Sequence, residues 1–322
     1  MKPKALTEGA LLCALSVVLA LMCYYLPFMI VLYIFIPIPI IVLCRRQGFA
    51  VSMISSVAAM FILFFLIDVV SAATFGMYMI LVGCGLGYAY YKGKNGFSKM
   101  VAGYLSILIT LFGMLIIAQV VTGQNFIEMT VTQMTEMSHQ VVETYKEIGL
   151  LSPEQIGTME GTLEQFMSSV KMTIPLSFLM APFFIAWINI IFSDKLLKRL
   201  GMSVDPLPPL SAWRVPKSLK NVLVIVVVFL LIKEFGGFKS VPEIYSYTLM
   251  QLAYYVYVAM GFSFVFWWMN RKKKKESVGL KVLIVVISIL IPFASYLISM
   301  LGVADIYINL RLIIQIKDEY KK

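Results

Sequence analysis

The stretch from Ala5 to Cys44 carries one charged side chain, Glu8, and is interrupted near its middle by Pro27. A helix rises about 1.5 Å per residue, so this stretch would extend for about 60 Å, twice the ~30 Å hydrocarbon core of a bilayer. Because the backbone finds no water to bind inside lipid, a chain that crosses it in this way is helical. The stretch therefore predicts two transmembrane helices joined by a tight turn.

The rest of the sequence repeats this pattern. Hydrophobic residues make up 60% of the chain and charged residues 14%, whereas soluble domains contain about 25% charged residues. We predict an all-α, polytopic membrane protein with nine spans at residues 5–26, 28–44, 49–67, 73–91, 98–121, 172–192, 219–238, 244–269 and 278–300. Because no small-residue cleavage site follows the first apolar run, we expect the first span to be retained rather than removed as a signal peptide.

The basic side chains predict the orientation. With a cytoplasmic N-terminus, most of the 27 Lys and Arg residues fall on the inner side, as the positive-inside rule requires. The cluster Arg271–Lys275 then faces anionic lipid head groups, and Trp267 and Trp268 before it suit an interfacial belt. We predict a multi-pass protein of the cell membrane. Nine spans place the tail 301–322 outside, although its basic residues favour the inside, so its side stays open.

Several function classes lack the residues that they need. The four cysteines lie in apolar runs and are expected to be buried thiols. The one histidine, His139, leaves no multi-histidine metal site, and the chain contains no phosphate-binding loop, nucleophile elbow or HExxH helix. The net charge of +10 is concentrated at the ends of the spans. We therefore expect no enzymatic activity, no cofactor or metal, and no nucleic-acid partner.

Residues 122–171 break the pattern of short loops, because they are acidic and we place them outside the cell. Two amphipathic helices are predicted here, with Gly149 ending the first and the capping-box pattern Ser152-Pro-Glu-Gln155 opening the second. The sequence thus indicates an extracytoplasmic helical hairpin. Such a hairpin is either a lid over an outward-facing cavity or a solvated extension of the fifth and sixth spans.

A proline-rich linker at 201–219 divides the chain. Its prolines stop helix continuation, and Trp213 with Arg214 suits an interfacial anchor. We predict a six-span module at 1–200 and a three-span module with its tail at 220–322. The linker is either a simple tether or a docking site for a cytoplasmic partner.

Small residues mark two faces where helices approach closely. Gly83 and Gly87 in the fourth span, and Ala10 and Ala14 in the first, are each four residues apart. These faces serve either packing inside the chain or the binding of a partner protein.

These features resemble known membrane proteins. The Ala10–Ala14 pattern, the run Ile36-Pro-Ile-Pro39 before Arg45, and the glycine-rich fourth span resemble the substrate-binding S components of energy-coupling-factor (ECF) vitamin transporters. Over most of its length the chain more closely resembles the YybS-type integral membrane proteins of Gram-positive bacteria. That resemblance extends through Leu207-Pro-Pro-Leu and Trp213-Arg-Val-Pro to Leu301-Gly302 and Arg311. The hairpin and the last three spans are additions to the S-component pattern.

The resemblance implies a module that captures a small molecule from outside and needs ECF-type transmembrane and ATPase partners for any energised step. Ala10 and Ala14 would then face such a partner. The candidate ligand-binding residues are polar groups in the outer halves of the spans: Tyr24, Tyr25, Asp68, Tyr78, Gln119, Tyr247, Gln251 and Tyr255. The alternative is a membrane scaffold or regulator that contacts cytoplasmic proteins or anionic lipid without transport.

Overall fold

A computed structural model describes residues 3–123, 126–149, 152–238, 240–272 and 278–319. Every regular element in these ranges is helical, so the predicted all-α class is confirmed. Lys239 and Lys273–Lys275, which contributed to the predicted charge bias, lie outside the described residues. The chain forms two compact units, Met1–Leu207 and Pro208–Lys322, and their boundary lies inside the predicted linker. Each unit is described by itself.

In its described residues, the first unit contains eight α-helices and two irregular helical segments. The α-helices are α1 (Pro3–Tyr25), α2 (Ile38–Gln47), α3 (Phe49–Leu66), α4 (Val69–Tyr78), α5 (Gly85–Tyr91), α6 (Gly96–Thr122), α7 (Phe126–Ile148) and α8 (Pro153–Arg199). A 3₁₀ segment, Pro27–Phe35, precedes α2, and a π-helical segment, Met79–Cys84, joins α4 to α5. The second predicted span is thus half 3₁₀ and half α-helix.

The core of this unit is centred on α2, whose residues from Ile38 to Cys44 are all buried. The glycines of the fourth span allow that close packing. A Cβ atom on Gly83 would lie 2.7 Å from Ile40 Cγ2, and one on Gly87 would lie 2.7 Å from Cys44 Cβ. Both distances are far below ordinary van der Waals contact, so larger residues would force α2 away.

Helix α8 is a single helix of 47 residues, about 70 Å long. The second helix of the predicted hairpin is therefore continuous with the sixth span. Ser152 and Gln155 form the expected capping box at its start. Helix α7 runs beside the first part of α8, where Lys146 Nζ lies 2.8 Å from Glu160 Oε1. The side of the membrane on which this pair lies stays a prediction.

The described part of the second unit contains five α-helices: α9 (Lys217–Glu234), α10 (Glu243–Lys272), α11 (Val278–Leu290), α12 (Pro292–Ile308) and α13 (Leu310–Glu319). The end of α9 contacts the start of α10, where Lys233 Nζ donates to Ser246 Oγ at 2.6 Å. Helix α12 packs closely along α10. A Cβ atom on Gly302 would lie 1.9 Å from the Tyr257 carbonyl oxygen, so only glycine fits there.

The predicted count of nine spans is not confirmed. Seven helices in the described ranges are long and apolar enough to cross a bilayer, and α11 with α12 would make an eighth span if counted together. Helix α9 is not among them, because Lys217, Lys220, Lys233 and Glu234 charge its two ends.

The ninth predicted span, 278–300, is not one helix. The apolar segments on either side of Ile291 meet at 110°. Pro292 is the cause: it has no N–H to donate, and it keeps the residue before it extended, as the backbone of Ile291 shows (φ −115°, ψ 102°).

The contacts of Arg311 place the start of the tail. Its Nη2 donates to Ser263 Oγ at 2.8 Å, and its guanidinium lies 5.7 Å from the ring centre of Trp267. Both partners lie towards the C-terminal end of α10. The tail therefore begins at the same end of this unit as Arg271, and not at the opposite end, where nine straight spans would put it.

Candidate functional site

The most irregular part of the first unit surrounds Tyr78, one of the sequence-predicted site residues. Tyr78 is the last residue of α4, directly before the π-helical segment, and only 1% of it is exposed. Tyr33, from the 3₁₀ segment, stacks on it with ring centres 4.5 Å apart and an interplanar angle of 15°. Insertions of π-helix into α-helices occur often at functional sites, and 3₁₀ runs longer than three or four residues are uncommon. Two unusual backbone segments thus meet at these rings.

Buried polar atoms without partners among the described residues occur in Tyr78 and in the stretch of α8 next to it. The Asn189 side chain of α8 neighbours the Tyr78 hydroxyl, yet neither Tyr78 Oη nor Asn189 Oδ1 makes a hydrogen bond of ordinary geometry to any described residue. Ser193 Oγ, one turn further along α8, is also buried without a partner among those residues. Asn189 and Ser193 are both 0% exposed. We call Tyr33, Tyr78, Asn189 and Ser193 the interior polar cluster.

A buried ion pair lies close to the C-terminal end of α8. Lys99 Nζ lies 2.8 Å from Asp194 Oδ1 and donates to the Asp205 carbonyl oxygen at 2.6 Å. Tyr90 Oη donates to the same Asp194 oxygen at 2.6 Å, and Lys99 Nζ lies 4.4 Å from the centre of the Tyr90 ring. Only 1% of the Lys99 side chain is exposed. Four side-chain and backbone groups thus share one compact network.

A pocket of about 370 Å³ lies next to this ion pair. It is formed where α2 ends, where α5 turns into α6, and where the chain continues beyond α8, and its polar lining comes from Arg45, Tyr90, Lys94, Lys99, Ser203 and Asp205. Three of these six residues are basic and one is acidic.

Sequence reasoning missed most of these groups, because their partners are far apart in the chain. Lys99 was predicted only as part of the inner basic charge, and Asp194, 95 positions away, was not singled out. One signal was available: an amide and a carboxylate at the end of the apolar sixth span are functional hypotheses by default. Tyr33 offered no such signal, since a tyrosine in an apolar run also fits an aromatic belt.

Comparison with known proteins places the chain in a family. The family model described as "Predicted membrane protein (DUF2232)" matches residues 14–306. The chain belongs to this family.

The chain is also 22% identical to "Uncharacterized protein YybS" of Bacillus subtilis (strain 168) over 313 residues, which cover 96% of this chain and 97% of that relative. These matches confirm the YybS-type resemblance and an integral membrane protein. No solved structure matches the chain. The likeness to ECF S components stays a prediction.

Three of the other predicted ligand residues lie together at the end of unit 1 away from the pocket. Tyr24 and Tyr25 make an edge-to-face pair with ring centres 4.9 Å apart, and Tyr25 Oη donates to the Leu66 carbonyl oxygen at 2.9 Å. Asp68 caps α4 by accepting from the Ser71 amide at 2.9 Å, which holds the pKa of its carboxyl below its ordinary value. All three predicted residues are exposed and are not part of the interior polar cluster.

The remaining predicted ligand residues are scattered. Gln119 is exposed near the end of α6. In the second unit, Gln251 donates to the Tyr247 hydroxyl at 3.1 Å, as helical spacing predicts, while Tyr255 is 40% exposed.

The predicted partner-packing residues face two different environments. Gly83 and Gly87 face α2 inside the unit, so that surface is already covered by the chain itself. Ala10 and Ala14 are exposed on the outer face of α1. Of these two predicted faces, the alanine face is the exposed one, and its role in binding a partner protein stays a prediction.

The part of the predicted linker that belongs to the second unit is folded onto that unit. Trp213 Nε1 donates to the Pro208 carbonyl oxygen at 2.9 Å, and the Trp213 carbonyl accepts from Ser263 Oγ at 2.9 Å. Arg311 Nη1 donates to the Ser211 carbonyl oxygen at 3.0 Å. This segment is therefore engaged by its own unit.

Proposed function

We propose that this integral membrane protein binds a small, weakly charged molecule at the interior polar cluster of its first unit. The observation that carries the proposal is the pair of buried polar atoms, Tyr78 Oη and Asn189 Oδ1, which lie near each other yet make no hydrogen bond of ordinary geometry to the described residues. Buried polar groups are nearly always paired with protein, water or ligand, and an unpaired group inside lipid costs several kcal/mol.

The cluster suits a polar molecule with a flat or apolar portion. The stacked rings of Tyr33 and Tyr78 offer a large apolar contact area, whereas the hydroxyl and the amide oxygen offer a donor and an acceptor. The four residues of the cluster are uncharged. A strongly charged ligand would therefore find no counter-charge among them. A ligand would reach the cluster through movement of the 3₁₀ segment that carries Tyr33, because the hydrogen bonds of a 3₁₀ segment have poorer geometry than those of an α-helix.

Any energised transport step would require partner subunits, because the sequence has no phosphate-binding loop for ATP. The exposed face of Ala10 and Ala14 is the surface that we propose for a transmembrane partner. Ala14→Leu should then release a co-purifying partner while the protein stays folded. Ala58→Leu, at an exposed alanine of α3, is the matched control and should retain it. Retention of the partner by Ala14→Leu, or a failure of any subunit to co-purify, would contradict this part of the proposal.

The ligand proposal is tested by mass spectrometry on protein purified gently from native membranes. The wild type should retain a small molecule that Tyr78→Phe loses, because this change removes only the hydroxyl. Tyr88→Phe is the matched control, since Tyr88 is 45% exposed and is not part of the cluster. If the wild type retains no small molecule, or if Tyr78→Phe retains it as well as Tyr88→Phe does, the proposal is wrong.

Deletion of residues 122–171 separates the lid from the alternative of a scaffold. A lid deletion should shorten the retention of that small molecule, whereas a scaffold would keep its cytoplasmic contacts unchanged. The packed Ser211–Trp213 segment gives no specific support to the scaffold.

A further inference from the structure

The pocket beside the Lys99–Asp194 pair contains an arginine whose hydrogen bonds are incomplete. Arg45 Nη1 and Nη2 approach the carbonyl oxygens of Tyr91 and Ser203 at only 3.5 and 3.4 Å. Its Nε is buried and makes no hydrogen bond within the described part of the chain. Ordinary N–H···O bonds are 2.7–3.2 Å long, and those of charged donors are shorter still. The fork of this guanidinium is therefore only weakly engaged by the protein.

Arg311 of the second unit shows what a structural arginine in this chain looks like. Its Nε, Nη1 and Nη2 all donate, to Asp305, Ser211 and Ser263, at 2.9, 3.0 and 2.8 Å. Every nitrogen of that guanidinium has a partner at normal distance. Arg45 has none at such a distance among the described residues, although it lies at the end of a buried helix. An arginine that only held the helix end in place would be expected to make full hydrogen bonds, as Arg311 does.

The charges around the pocket favour an anion. Lys99 is already neutralised by Asp194, and its remaining bond goes to the Asp205 carbonyl. Lys94 is exposed at the pocket and has no side-chain partner among the described residues. Among the described residues, Arg45 and Lys94 thus supply two positive charges without a carboxylate partner, against the single carboxylate of Asp205 in the lining, whose side chain is exposed.

We propose that this pocket binds a phosphate group, either on the head group of an anionic lipid or on a small soluble phosphate ester. An arginine fork matches two phosphate oxygens, and a lysine adds a compact point charge. A volume of about 370 Å³ is large enough for a phosphate with part of its ester. Basic pockets between transmembrane helices at the inner surface bind such head groups, and the basic ends of these helices are predicted to face that surface. This second site does not depend on the interior polar cluster.

The experiment uses the full-length purified protein in two arms. In the lipid arm, delipidated protein is placed in nanodiscs of phosphatidylcholine with or without phosphatidylglycerol, and native mass spectrometry counts the anionic lipids retained after release. In the soluble arm, inorganic phosphate is titrated into delipidated protein in a neutral detergent, and its binding is followed by calorimetry.

The arginine and lysine variants each have a matched control nearby in sequence. Arg45→Gln should weaken binding about tenfold or more, since a hydrogen-bonded charge is lost. Arg46→Gln, whose side chain pairs with Glu8 at 2.6 Å, should leave binding unchanged. Lys94→Gln should weaken binding less than Arg45→Gln does, and its control, Lys92→Gln, should leave binding unchanged. Because Lys94 is exposed, its variant tests the proposal even if Arg45→Gln does not fold.

The Asp205 side chain gives a test of opposite sign. Asp205→Asn removes the one negative charge of the lining, so it should tighten binding about threefold or more at low salt, with a smaller gain at high salt. Retention of phosphatidylglycerol with no binding of inorganic phosphate identifies a lipid site, and the reverse identifies a soluble phosphate. If neither binds, or if Arg45→Gln and Arg46→Gln behave alike, the proposal is overturned.

Discussion

Loss of the buried lysine at position 99 should destabilise the first unit strongly. Lys99→Met keeps the length of the side chain but removes the ammonium group, which lies 2.8 Å from Asp194 Oδ1 and 2.6 Å from the Asp205 carbonyl. Breaking a buried ion pair by removing one partner costs about 3–5 kcal/mol, because the other charge is left buried. Asp194 keeps its bond from Tyr90, so we expect a value near the lower end, about 3 kcal/mol.

This free energy corresponds to a fall in Tm of about 6–12 °C, at about 2–4 °C per kcal/mol. The assay is tryptophan fluorescence during heating of purified protein in mild detergent, with size-exclusion chromatography to show that the starting material is folded. Lys92→Met makes the same chemical change at an exposed position and should shift Tm by less than about 2 °C.

A double variant identifies the cause of the loss. Lys99→Met combined with Asp194→Asn leaves no unpaired buried charge, and the asparagine can still accept from Tyr90. It should therefore recover to within about 1–2 kcal/mol of the wild type. If the single variant melts with the wild type, or if the double variant is the less stable of the two, the reasoning about this ion pair is wrong.

Three further outcomes are expected. Gly302→Ala should destabilise the second unit by about 1–3 kcal/mol, because its Cβ would meet a carbonyl of α10 at 1.9 Å; Gly279→Ala, with open space around it, should be neutral by the same thermal assay, and equal effects would contradict the packing described. Asp68→Ala should lower the free energy of unfolding by about 0.5–2 kcal/mol through loss of the helix cap. Because the pKa of Asp68 is lowered, the wild-type cap should be fully effective above about pH 4 and weaken as the pH falls further, and thermal melts of Asp68→Ala should lack this pH dependence. On intact cells, a membrane-impermeant thiol reagent should label Glu143→Cys but not Lys198→Cys, and the reverse result would invert the predicted orientation.

The helical fold could be predicted because the bilayer restricts what an apolar chain can do. The run around Pro27 gave the first two spans, and Ser152 with Gln155 gave the start of α8, since capping depends on residues close in sequence. The bend at Ile291 was missed, although Pro292 was visible, because a proline in an apolar run is also tolerated within transmembrane helices. Span length alone did not distinguish these two outcomes.

The candidate sites were less predictable than the fold. Tyr78 was predicted as a site residue from its depth in the fourth span, but its neighbours Tyr33 and Asn189 come from elements that only tertiary packing brings together. Asp68 was predicted as a ligand residue from its position, and its bond from the Ser71 amide shows a capping contact as well; the ligand role stays a prediction. Sequence periodicity reports which face of a helix is polar, and it carries no information on which distant helix that face meets.

The continuity of α8 has a mechanical consequence. This one helix of 47 residues carries Glu160 near its start, Asn189 within the helix bundle, and Asp194 beside the basic pocket. Asn189 and Asp194 are only about 7.5 Å apart along the helix axis. A rotation or sliding of this helix that gave Asn189 Oδ1 a hydrogen-bond partner would therefore also move the Asp194 carboxylate, which pairs with Lys99. Pro175 and Pro182 lie on the hairpin side of both residues. A bend there would uncouple the hairpin from the two sites while keeping the sites coupled to each other.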